Sequence, residues 1–191
     1  MALINKLSAI GDAIREKTGK ADKLSLDQMV TEIAGIETGG GGTDQSTGLV
    51  DGTLKEYRSA EITNVRNYAF YYHGTIERIF LPKLESANIT AGFRNCAALK
   101  VVDIGLSYGI GSATFPSCPV LNTLIIRKAD GVCALLGVNT FNGTPFASGG
   151  TGGTVYVPAA LVETYKTATN WSTLYAAGTC HFAALEGSEY E

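Results

Sequence analysis

The 191-residue chain is 45% hydrophobic and 17% charged, enough apolar content for one core with an appendage. Its formal charge of -3 and pI near 5.4, with no run of Lys or Arg, exclude the basic stripe that phosphate backbones require, so no nucleic acid is expected as a partner. No stretch approaches the roughly 20 consecutive apolar residues of a membrane span, and residues 1–20 carry charges too closely spaced for a signal-peptide core; the expectation is a chain folded in the cytoplasm, with no membrane insertion.

In the first segment, Leu3, Leu7, Ile10 and Ile14 recur at three and four residues and so share one helical stripe, with Gly19 as a stop. A second helix starts at Ser25, with Gln28 placed as in a capping box, and puts Leu26, Met29, Ile33 and Ile36 on one face. Helices this short bury little area and are marginal alone. Residues 1–37 therefore read as a helical hairpin that needs a partner, either the same segment in a sister subunit or a docking surface. Those eight apolar positions are its expected anchoring and oligomerisation residues. Residues 38–48, rich in glycine and then in Thr, Asp, Gln and Ser, have the composition of a flexible linker.

Between Ile62 and Arg127 four apolar columns recur at a step of 22 to 23 residues: Phe70, Phe93 and Phe115; Ile76, Leu99 and Leu121; Ile79, Val102 and Leu124; Leu81, Ile104 and Ile126. Leu54 and Tyr57 anticipate two of the columns by 22 residues, and Leu84 and Leu106 repeat the step as a second, shorter strand. A fixed period in the twenties with alternating apolar residues predicts a solenoid, in which each unit buries its face only against its neighbours. The rhythm fades at Phe141, and residues 148–154 insert a polar Gly-rich loop before a last strand at 155–158. Pro158, the apolar run from Ala159 to Tyr165, Trp171, Leu174 and Tyr175 read as a C-terminal cap over 159–191.

Candidate chemistry is sparse. Cys96, Cys118, Cys133 and Cys180 form no C-x-x-C pair, and His73 and His181 lie in unrelated contexts, so no metal site, catalytic triad or cofactor is expected. Cys96 and Cys118 hold the same place in consecutive units and read as small buried side chains in a ladder; a disulfide between them is disfavoured by the absent signal peptide. Gly19 and Lys20 are followed by Ala21, which lacks the hydroxyl of a phosphate loop. Tyr68, Tyr71, Tyr72 and His73 form the densest aromatic cluster. Four residues packed so closely cannot all face a core, and exposed Tyr is a favoured contact residue, so this is the candidate surface-contact site.

Ile62, Asn64 and Val65 followed by Tyr68, Ala69 and Phe70, and then Phe93, Asn95, Cys96, Leu99 and Ile104, resemble the units of BspA-like leucine-rich repeats, in which Leu81 and Pro82 keep a strand-ending Pro that Gly105 and Arg127 replace in later units. The resemblance covers roughly residues 49–158. It implies a β-rich leucine-rich-repeat solenoid with terminal caps; with the short N-terminal helical hairpin and Gly-rich linker read above, the expected fold class is α+β. Residues 9–20 with 24–29 are similar to a segment placed before varied C-terminal domains in tail and other virion proteins of bacteriophages and prophages of Gram-positive hosts. Residues 155–172 are similar to a cap found on repeat proteins of the same kind of genome. These resemblances imply a non-enzymatic virion structural protein, a head fibre or decoration protein or a tail-associated one, assembled in the host cytoplasm. Its expected partners are other virion proteins through residues 1–37, further copies of itself, and a host cell-surface protein or glycan. The alternatives are a bacterial cell-surface adhesin and an intracellular protein-binding scaffold.

Overall fold

Short runs of β-branched and apolar residues, each bounded by a turn, produce eight strands in the computed structural model, which describes residues 52–191. The expected helical hairpin of residues 1–37, with Leu3, Leu7, Ile10, Ile14, Leu26, Met29, Ile33 and Ile36, and the linker 38–48 lie outside the described residues. Six strands form one parallel sheet: β1 (Glu56–Arg58), β2 (Arg78–Phe80), β3 (Val101–Asp103), β5 (Thr123–Ile125), β7 (Gly153–Val157) and β8 (Cys180–Ala184), in that spatial order. β4 (Gly109–Ile110) and β6 (Ala134–Leu135) pair separately, also in parallel.

The register explains the columns. Tyr57 pairs with Ile79, Ile79 with Val102, Val102 with Leu124 and Leu124 with Val155, so one inward position per strand repeats across the sheet. Ile79, Val102, Leu124 and Val155 are fully buried, each worth about 1.5–3 kcal/mol against an exposed reference. Phe70, Phe93, Phe115 and Phe141 stack face to face at centroid spacings of 5.3, 5.2 and 5.7 Å. The turns that carry them are tied by backbone hydrogen bonds from one to the next, such as Phe70 N to Gly92 O (2.8 Å) and Phe93 N to Thr114 O (3.0 Å).

The expected fold class is corrected. The described residues form mostly a six-stranded parallel sheet with only two short helices, α1 (Val162–Thr167) and α2 (Trp171–Ala176), and no solenoid. The physical reason is that the period ends while the sheet continues. A 3₁₀ turn (Val138–Phe141) and a Gly-rich loop separate β5 from β7, α1 and α2 fill the crossover from β7 to β8, and these last two strands lengthen to five residues each. In the C-terminal segment β8 pairs along all of β7 and forms the edge of the sheet. Leu106 is corrected too, since it is exposed in a turn. The residue below Leu84 is Ser107, fully buried, with its hydroxyl donating to Ile104 O (2.6 Å) and Leu84 O (3.2 Å).

The outward face of the sheet is also covered. Val101 and Ile125 pack with Leu185, Phe80, Tyr156 and Tyr190 in a second apolar cluster. Beside it the buried Asp103 carboxylate accepts from Arg127 Nε (2.8 Å) and Gly105 N (2.8 Å), and Arg127 Nη2 donates to Tyr190 O (2.7 Å), fastening the C-terminal segment to β3. The helices dock at the other sheet. Tyr165 Oη accepts from Cys133 N, Trp171 Nε1 donates to Cys133 O (both 2.8 Å), and Asn170 Nδ2 donates to Leu135 O (2.6 Å).

Candidate functional site

The turn preceding β2 carries the candidate contact residues, and the structure brings Tyr68, Tyr71 and Tyr72 together at the surface. Their exposures are 56%, 41% and 66%, whereas Phe70 between them points into the core. Tyr71 meets both neighbours edge to face, at centroid distances of 5.5 Å to Tyr68 and 4.6 Å to Tyr72. His73 is half-buried at the end of the turn, with its backbone N donating to Phe70 O (3.2 Å), so it contributes less surface than the tyrosines.

The backbone beneath the tyrosines is fixed and strained. Tyr68 N donates to Thr90 O and Tyr72 N to Arg94 O, each at 3.0 Å, which ties the turn rigidly to the one below. Tyr68 and Tyr72 adopt φ of 63° and 59°, the left-handed region that costs an L-residue with a large side chain on the order of 1–2 kcal/mol. The column of Tyr72 continues as Asn95, Ser117 and Gly143, all at positive φ, and the position of Tyr68 recurs at Ala91. Asn and Gly suit that conformation. In this turn alone the left-handed positions carry bulky exposed aromatics, which folding does not require, and strain of this kind marks contact and switch sites.

Arg66 and Arg94, both exposed, flank the tyrosines, and the sequence reasoning missed them because neither is part of a basic run. Their signal is relational. Residues 62–76, 86–99, 105–122 and 137–152, which form the turns away from the main sheet, contain no Asp or Glu at all. An open groove of about 430 Å³ between β6 and α2, lined by Leu135, Leu136, Ala168 and Trp171 among others, was likewise not legible beforehand.

The cysteines are buried. Cys96 and Cys118 Sγ donate to Phe70 O and Phe93 O, each at 2.9 Å, so both thiols are satisfied within the ladder. The adjacent Cys118 thiol and burial hold the Cys96 thiol well above the usual range. Burial pushes Cys133 and Cys180 up to about 12. Cys96, Cys133 and Cys180, held protonated and enclosed in this way, are poor nucleophiles. Among the described residues no group of three or more His, Cys, Asp and Glu is placed to hold a metal ion, and no helix is long and apolar enough to cross a membrane. Comparisons with protein-family models, curated proteins and solved structures yield no match, so no family is assigned to the chain.

Proposed function

We propose that the chain is a non-enzymatic structural protein of a bacteriophage virion, a head fibre or decoration protein or a tail-associated one, that displays its sheet domain for host-surface binding or particle decoration. The observation that carries the display reading is the rigid turn on which Tyr68, Tyr71 and Tyr72 stand exposed at a cost in backbone strain. A large, stiff, amphipathic side chain is an efficient contact group because little conformational freedom is lost on binding. The link to a virion comes from the similarity of residues 9–20 and 24–29 to the attachment segments of phage structural proteins.

In this reading residues 1–37 join the chain to other virion proteins and to further copies of itself through Leu3, Leu7, Ile10, Ile14, Leu26, Met29, Ile33 and Ile36. Many copies on one particle raise effective concentration, so a weak single contact at the tyrosine turn suffices for adhesion. The test is incorporation. Tagged full-length protein supplied during phage growth should co-sediment with particles, and the same protein lacking residues 1–37 should stay in the supernatant. A deletion variant that still co-sediments contradicts the anchoring role.

A further inference from the structure

We infer that the tyrosine turn binds an anionic carbohydrate, a sugar polymer bearing carboxylate or phosphate groups; this deepens the reading of Tyr68, Tyr71 and Tyr72 as a contact surface and rests on it. The first ground is the distribution of charge. In a chain of net charge -3, the turns at 62–76, 86–99, 105–122 and 137–152 contain just two ionised side chains, Arg66 and Arg94, while Glu56, Glu61, Glu77, Glu85 and Asp103 all lie in the strands or next to them. Four of these carboxylates have cations of their own: Arg58 on Glu56, Lys83 on Glu61, Lys100 on Glu77 and Arg127 on Asp103. Neither Arg66 nor Arg94 joins an ion pair among the described residues, so the turn face is locally positive and complementary to an anion.

The second ground is geometry. Arg94 O accepts from Tyr72 N, which sets the Arg94 backbone one turn below the tyrosines, and Arg66 precedes Tyr68 by two residues. Asn67 fixes the same edge, its Oδ1 accepting from Thr90 N at 2.9 Å. The two arginines therefore adjoin the tyrosine turn, one within it and one in the turn below.

The third ground is the kind of apolar surface. The large hydrophobic residues exposed between 62 and 99 are all tyrosines, without an aliphatic anchor. Sugar rings offer CH faces that lie on aromatic rings and hydroxyls that pair with phenol and amide groups. Single-stranded nucleic acid also stacks on aromatics, but it needs a cationic groove that tracks several phosphates, and two arginines on an acidic chain do not make one.

The experiment uses the full chain in affinity electrophoresis against polygalacturonate, with dextran as the neutral sugar polymer and oligothymidine as the nucleic-acid control. Polygalacturonate should retard the protein at low salt and release it as screening rises. Arg94→Gln and Tyr72→Asn should each weaken retardation by about tenfold or more. Asn tolerates the left-handed conformation, so Tyr72→Asn should keep or raise the melting temperature while binding is lost, which separates a contact role from a structural one. Absence of retardation by polygalacturonate, equal retardation by dextran, preferential binding of oligothymidine, or full retention of binding in both variants overturns the inference. If polygalacturonate fails while Tyr72→Asn still reduces particle adsorption to host cells, the contact-surface reading stands and the anionic-sugar assignment falls.

Discussion

Gly105 follows β3 at φ +52°, and a Cβ there would overlap the backbone carbonyl oxygens of Leu81 and Pro82 in the neighbouring turn. Neither backbone can yield without breaking the ladder, so Gly105→Ala is expected to cost about 2–4 kcal/mol, read as a lowered urea midpoint at unchanged m-value. The residue that its own amide serves, Asp103, makes a pH prediction. Burial pushes the Asp103 carboxyl above the usual aspartate range, against the opposing pull of Arg127 and the Gly105 amide. A raised native pKa means that the folded state holds the proton more tightly than the unfolded chain does. The contribution of Asp103 to stability therefore grows as pH falls from neutrality and is complete below the unfolded value of about 4. Wild type should gain stability relative to Asp103→Asn, which titrates nothing there, between about pH 7 and pH 4 in urea unfolding. A relative loss over that range would mean that the Arg127 charge outweighs burial. Little of this residue-scale detail is legible in the sequence. Gly105 is visible only as a departure from the Pro82 pattern, and the inward turn of Ser107 in place of Leu106 depends on a 23-residue step that two plausible leucines conceal.

The elements divide by whether their partners repeat. The columns from Ile79 to Leu124 are legible because each position meets the same kind of neighbour in the next strand, so periodicity in sequence becomes register in the sheet. β8 and the covering segment around Leu185 and Tyr190 each meet a partner that occurs once, and a single long-range pairing leaves no periodic trace. That is why the expected solenoid with caps gives way to a six-stranded parallel sheet. The docking of α1 and α2 belongs to the same class of unrepeated contact. Trp171 is fully buried and donates to Cys133 O, while Tyr165 takes up Cys133 N, so both backbone groups of one residue depend on helix side chains. Trp171→Phe leaves a buried carbonyl without its donor and a space beside Phe141, for an expected loss of about 2–4 kcal/mol. Far-UV circular dichroism is the appropriate readout, since Trp171 is the sole tryptophan of the chain.

At the scale of the molecule, chemistry is sorted by edge. The sheet side carries the paired charges, including the Lys55, Glu77 and Lys100 row, and the turn side carries exposed tyrosine, amide and hydroxyl groups with two arginines. The cluster of Tyr68, Tyr71, Tyr72 and His73 was visible in the sequence as an aromatic excess over what a core can absorb. The strain at Tyr68 and Tyr72 was not, because backbone conformation at a turn is set by the ladder to the turn below. A domain that concentrates rigid contact groups on one edge suits display on a multivalent particle, where modest affinity is multiplied by copy number. The most direct measurement is quantitative mass spectrometry of purified particles from the source culture, counting this chain against the major capsid protein. A virion protein is recovered in fixed ratio to the capsid, in many copies for head decoration or fibres and in a handful for a tail position; a chain found only in cells or medium, and absent from particles, contradicts the virion assignment.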